Sequence, residues 1–355
     1  MTGRVANLDL LRAVAITLVV LTNAAVEGLA PGGLWSRVTA SGWVGVDLFF
    51  VLSGWLVGGL YWRELNRFGD VGIGRFWARR WLRTIPAYLV ALHVIFLAKW
   101  AFVDRSLVYD PRYLVFVQNY PPPGAYWGLS WSLCVEEHFY LALPLALGLA
   151  TRLRGGVPAL LGLAAVASLA ARLLTVPDGA APSGIQYTAT HMRLEGLAFG
   201  VAASWVYYQK TAWWPGLVRV ARLIAVPGLL FVAAVPLLPL DVLNRWAYAG
   251  VDLAFAAVLV AVATGRALPG ADSRVVRAVA VTSYSVYMTQ SAALEAVQTA
   301  FGDLLPAPAR LLLGLVAVAL LGGAFYLAIE RPSLRLRERF APSRGHVPSP
   351  ALAPV

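Results

Sequence analysis

The chain has 355 residues, 59% of them hydrophobic and only 13% charged, with a mean hydropathy of +0.68. Soluble domains carry about 25% charged residues, so this chain lacks the polar coat of an ordinary soluble enzyme, and its apolar content excludes a disordered or fibrous protein. The net charge of +11 comes from 29 basic residues, nearly all arginine, against 18 acidic ones; in so apolar a chain it points to loops facing anionic lipid, and not to nucleic acid.

Crossing a bilayer takes about 20 mostly apolar residues. Ten stretches qualify, at roughly 8–29, 42–62, 85–103, 131–150, 157–175, 190–208, 217–237, 246–265, 278–299 and 309–329. They predict an all-α polytopic membrane protein of about ten transmembrane helices over residues 1–339, then a disordered Pro- and Ala-rich tail over 340–355. The first stretch is longer than a signal peptide's apolar core, carries Asp9 and Arg12 and leads into another span, so it reads as an anchor. If the ten spans alternate, 20 basic residues fall on one side, in the segments around Arg4, Arg63 to Arg83, Arg152 to Arg154, Lys210 to Arg222, Arg266 to Arg277 and Arg331 to Arg344. The positive-inside rule makes that side, with both termini and the tail, cytoplasmic, and the expected location is the plasma (inner) membrane. Trp35, Trp43, Trp62, Trp127, Trp131, Trp213 and Trp214 cluster near span ends, as interfacial belts do.

Ionisable groups within spans are costly and usually face a bundle interior or a wet cavity. Arg12 lies toward the cytoplasm, with Arg79, Arg80 and Arg83 just before the third span. Asp47, Glu136, Arg193, Glu195, Asp252 and Glu295 lie toward the outer half, so the polar groups form two sets that suit a molecule approached from both sides. Plainer readings also hold: Arg12 snorkels to the headgroups, the three arginines set topology, and Glu137 faces solvent near a helix end. His93 reads as a satisfied core residue and Cys134 as a small packing residue. A single cysteine excludes an internal disulfide, and four histidines without a close pair give no zinc motif, so no metal is expected. The glycines of GDVGIG follow no strand pattern and make no phosphate loop.

In chain order the sequence contains LDLLRAVAITLVVLTNA, GWVGVDLFFVLSGWLVG, RFWARRWLRTIPAY, WSLCVEEHFYLALPL, HMRLEGLAFG, SYSVYMTQ and IERP. This series resembles the acyltransferase 3 family of bacterial integral-membrane acyltransferases, from about Leu8 to Pro332. The resemblance implies transfer of an acyl group, often acetyl, from acyl-CoA as a co-substrate on the cytoplasmic side. No permanently bound cofactor is implied. The acceptor it implies is a hydroxyl on a sugar, cell-surface glycan, lipid-linked intermediate or natural product. Arg12, Arg79, Arg80 and Arg83 would then hold the donor's phosphates through charge-assisted bonds. Eleven helical residues separate Arg12 from Asn23 by about 16 Å, so one helix can touch the donor's charged end and the reaction zone.

The series departs from the family at two positions. The histidine usual eleven residues after the first-span arginine is Asn23 here, and the one usual at the end of the SYS-containing pattern is Gln290. An amide has no pKa near neutrality with which to take a proton. The expected catalytic set is therefore Asn23, steadying the thioester carbonyl or acceptor, with His138 or Glu136 as base. Asp47, Glu137, Arg193, Glu195, Tyr287 and Gln290 are expected as acceptor-site or structural polar residues. Two other readings stand beside the acyltransferase: a catalytically impaired member that binds acyl-CoA, lipid or a glycan intermediate, and a transporter of a small or lipid-linked molecule.

Overall fold

The computed structural model describes residues 2–29, 39, 41–120, 126–177, 179, 184–302 and 304–342. Trp35, Arg37, Arg344 and the predicted tail from residue 343 lie outside them. Among the described residues the regular structure is entirely helical. Ten helices match the ten predicted stretches: α1 Thr2–Val26, α2 Val44–Phe68, α3 Ile73–Phe102, α4 Trp131–Ala150, α5 Gly156–Thr175, α6 Glu195–Gln209, α7 Trp214–Ala234, α8 Tyr248–Val262, α9 Arg274–Phe301 and α10 Ala307–Phe325. An eleventh, α11 Arg331–Phe340, follows α10 through a π-helical turn over Tyr326–Glu330.

Among the described residues, eight segments are long and apolar enough to cross a membrane. The two that fall short, α6 and α9, have physical reasons. α6 has only 15 residues, about 22 Å at 1.5 Å per residue. α9 buries Ser283, Ser285, Thr289 and Gln290, which lowers its mean hydropathy while its backbone satisfies itself as any helix does.

α2 forms the centre of the bundle, packing on α1, α6 and α8. Its contact with α6 depends on glycine. A Cβ on Gly54 would strike the Leu197 carbonyl, and one on Gly200 would strike the Val51 carbonyl. Small residues four apart on facing helices let the backbones close up, the usual route to helix association in lipid. α5, α7 and α10 form an outer layer against α6, α8 and α9. α7 shows why: Leu223, Val226, Leu229 and Leu230 are exposed along it, a face made for acyl chains.

On the orientation set by the arginines, α2 turns into α3 at the cytoplasmic face. Gly69 makes this turn possible, adopting φ 74° and returning its N–H to the Leu65 carbonyl. The connection from α3 to α4 lies at the outer face and is itself ordered. There Asp110 caps a short helical turn over Pro111–Val115 and pairs with Arg112. Asn119 donates to the Thr188 carbonyl and Thr190 hydroxyl, tying this connection to the one before α6.

Candidate active site

Two buried ion pairs hold the outer half together. Arg193 and Asp47 meet at 2.7 Å with both side chains fully buried. Arg193 also lies 4.1 Å from the centroid of the Tyr248 ring, with Tyr187, Trp131 and Phe50 around it. Arg172 pairs with Glu195 beside them, and Asp252 sits against Gly196 with one carboxylate oxygen buried and unpartnered among the described residues. None of these five charged groups lines the principal cavity.

That cavity has a volume of about 610 Å³ and follows α2 from Phe68 at its cytoplasmic end to Val46 near its outer end. The rise from Val46 to Phe68 spans about 33 Å, close to the roughly 30 Å of a bilayer's hydrocarbon core. Eight arginines line it against two glutamates: Arg12 from α1, Arg63 and Arg67 from α2, Arg75, Arg79, Arg80 and Arg83 from α3, and Arg337 from α11, with Glu64 and Glu136. Glu64 is taken by Arg75 at 2.9 Å. The walls change character with depth. The arginines from α2, α3 and α11 crowd the cytoplasmic helix ends, whereas Val46, Phe49, Leu133, Ser132 and Tyr287 surround the inner end.

Helix geometry decides what reaches the inner wall. Ser132, Glu136 and Tyr140 are four residues apart on α4, so they stack on one face, and all three line the cavity. The Tyr140 hydroxyl is hydrogen-bonded to Ser53 of α2, and the Ser132 hydroxyl to Tyr287 of α9. Glu136 lies beside the Tyr140 and Ser53 hydroxyls and near Arg80. Arg80 is buried, its guanidinium 4.7 Å from the Tyr140 ring centroid and its Nε without a hydrogen-bond partner among the described residues. A carboxylate, two hydroxyls and a guanidinium thus meet where the polar mouth gives way to the apolar end.

The same geometry turns other predicted residues away. His138 is two residues beyond Glu136, about 200° around the helix; its Nδ1 meets the Thr190 hydroxyl at 2.8 Å and it does not line the cavity. Glu137 is buried, not solvent-facing, and accepts from the Thr84 hydroxyl at 2.7 Å. Asn23 donates to the Val19 carbonyl of its own helix at 2.8 Å, away from the cavity wall. Gln290 is fully buried, and neither its amide oxygen nor its nitrogen has a partner among the described residues. His93 is satisfied, by the Leu89 carbonyl and Tyr109, but on the exposed face of α3 and not in the core, because its position on the helix points outward. The predicted separation into an inner and an outer polar set also needs correction. Glu136 shares one cavity with all four predicted donor arginines, because α4 enters from the outer face beside α3. Among the described residues, no group of three His, Cys, Asp or Glu is placed to hold a metal ion.

Sequence reasoning missed Arg63, Arg67, Arg75 and Arg337 as cavity residues, having counted them only as topogenic charge. The four-residue spacing of Arg63 and Arg67, which puts both on one helix face, was the available signal. Ser53 and Tyr140 gave none, since a lone hydroxyl in an apolar span is usually satisfied by its own backbone.

Comparison with known proteins follows the same lines. The family model described as an acyltransferase domain (acyltransferase 3) matches residues 5–328. The O-acetyltransferase OatA of Staphylococcus aureus strains NCTC 8325 / PS 47 and COL is 30% identical over 140 residues, 35% of this chain and 23% of that protein. Proteins of S. aureus strains COL and N315, named as candidate O-acetyltransferases, are 28% identical over 156 residues, 40% of this chain and 24% of theirs. The chain therefore spans about a quarter of the length of these curated relatives. No solved structure matches.

Proposed function

We propose that this chain, which belongs to the acyltransferase 3 family of membrane proteins, moves an acyl group, acetyl by analogy with its relatives' names, from acyl-CoA to a hydroxyl acceptor. The observation that carries this reading is the convergence of eight arginines from four helices on one cavity whose inner wall holds Glu136. Coenzyme A is an anion with phosphates at one end and a thioester at the other. Guanidinium groups bind phosphate through charge-assisted, often bidentate bonds, and the donor enters from the cytoplasmic helix ends where they crowd. Arg80, the most buried of the cavity arginines and set against the Tyr140 ring, then meets the part of the donor nearest the reacting carbon.

In the proposed step the acceptor oxygen attacks the thioester carbonyl while Glu136 takes its proton; the C–S bond then breaks and Glu136 returns that proton to the leaving sulfur, which departs as the thiol. Tyr140 and Ser53 supply hydroxyls to the carbonyl oxygen as it gains charge. Glu136 takes this role in place of His138 because it lines the cavity and His138 faces Thr190. The acceptor is a sugar, cell-surface glycan, lipid-linked or small-molecule hydroxyl, and the membrane is the plasma membrane. Tyr287 and Ser132, paired at the inner end, stand where such an acceptor meets the thioester.

The test is coenzyme A release from acetyl-CoA by the purified full chain with cell-envelope glycans and lipids as acceptors. Glu136→Gln is expected to slow release by about 10²–10⁴-fold, the usual effect of losing a general base, and His138→Gln to leave it within about twofold. Full release by Glu136→Gln together with loss in His138→Gln would overturn the assignment.

A further inference from the structure

α11, with the sequence RPSLRLRERF, lies along the cytoplasmic end of α3. One carboxylate sits at the centre of its polar attachment. Arg79 of α3 grips Glu338 with both terminal nitrogens, Nη2 to Oε1 at 3.1 Å and Nη1 to Oε2 at 3.4 Å, and also donates to the Ala341 carbonyl. Arg337 holds the same Oε1, from Nε at 3.0 Å and Nη2 at 2.6 Å. Successive residues on a helix point about 100° apart and do not ordinarily meet, so Arg337 must bend over its neighbour to make this contact. Both arginines line the cavity; Glu338 does not, and its side chain is 44% exposed.

A carboxylate held in the fork of two guanidiniums, at the rim of a cavity otherwise rich in arginine, has the geometry of a bound oxyanion. We propose that Glu338 occupies the place that a phosphate of the donor takes between Arg79 and Arg337, so that α11 supplies both a cation of the donor site and its internal competitor. This rests on the reading of the cavity as the acyl-CoA site. A phosphate carries more charge and more acceptor oxygens than a carboxylate, so it displaces Glu338 from both arginines. Because Glu338 is already partly exposed at the rim, its release into water carries little penalty. The device lets only a polyanionic ligand open the mouth, and holds the arginines in place while the cavity is empty.

The proposal makes a prediction opposite in sign to that of a purely structural latch. The full chain, purified into lipid discs, is titrated with tritiated coenzyme A. Removing a competitor that fills the site in about two of three free molecules, the population an exposed ion pair sustains, tightens binding about threefold, so Glu338→Gln is expected to bind about threefold more tightly than the wild type. Arg337→Gln is expected to bind about tenfold more weakly, through the lost phosphate contact. Glu338→Asp, whose shorter side chain loosens the fork but keeps the charge, should fall between wild type and Glu338→Gln. Melting curves of the three variants establish that each is folded. Wild-type binding with Glu338→Gln unchanged or weaker overturns this proposal alone. No coenzyme A binding by the folded wild type overturns the donor reading, and this proposal with it.

Discussion

Asp47→Asn is the sharpest perturbation the buried charges offer, because it removes a charge and almost no volume. In the native chain Arg193 and Asp47 meet at 2.7 Å with no exposed side-chain surface, while Nε and Nη1 of Arg193 have no hydrogen-bond partner among the described residues. Two unit charges about 4 Å apart attract by about 4 kcal/mol at an effective dielectric of about 20, and breaking a buried pair from one side typically costs about 3–5 kcal/mol. Asp252 also acts on Arg193, and stacking on Tyr248 at 4.1 Å survives the change. The expected loss is therefore near the lower end, about 3 kcal/mol, or about two powers of ten in the folded-to-unfolded ratio. Asp47→Asn combined with Arg193→Met removes both charges and should recover most of that loss, since an apolar replacement of a buried pair is often neutral. The assay is the surviving monodisperse fraction after graded heating in lipid discs, with tryptophan fluorescence as a second probe. An Asp47→Asn chain as heat-resistant as wild type would refute the reasoning. A double variant that is stable but cannot transfer an acyl group would move the pair from structure to acceptor binding.

Other outcomes follow from the same geometry. Arg80→Gln should weaken acyl-CoA binding by about 10–100-fold, the range of one charge-assisted hydrogen bond, by equilibrium binding in discs. Gly200→Val should drive α2 and α6 apart, because the added Cβ meets the Val51 carbonyl; the expected readout is loss of folded, monodisperse protein, and a normal yield would contradict the close approach. At the outer face the Arg112 side chain, through its hydrogen bond, holds the Asp110 carboxyl below the usual carboxylate range. A depressed carboxyl stabilises the fold above its unfolded pKa and loses that contribution as pH falls through its folded value. Protease sensitivity of segment 103–120 should thus stay flat from neutrality to about pH 4 and rise below it.

The spans were legible because lipid imposes one period and one length. Every one of the ten apolar stretches is a helix, α9 included, although its buried Ser283, Ser285 and Thr289 lower its hydropathy. The family motifs lie in chain order on α1, α2, α3, α4, the start of α6, α9 and the junction of α10 with α11, and the Arg12, Arg79, Arg80 and Arg83 group does converge on one cavity. Facing direction was less legible. Glu136, Glu137 and His138 are consecutive in sequence, yet one enters the cavity, one binds Thr84 and one meets Thr190. Composition assigns all three to one polar patch; only the packing of α4 between α3 and the outer connection separates them. Arg337 was hidden for a different reason: a basic stretch after the last span is a normal topogenic signal, and its return along α3 is a tertiary event.

The central claim is that the arginine cavity takes the acyl donor. The direct measurement is equilibrium binding of tritiated acetyl-CoA to the purified chain, wild type against Arg80→Gln combined with Arg83→Gln, over a range of salt concentrations. The account predicts saturable one-to-one binding that weakens as salt rises and is lost in the double variant while the protein remains folded. Absence of binding by the wild type, or binding that both substitutions leave intact, would contradict it.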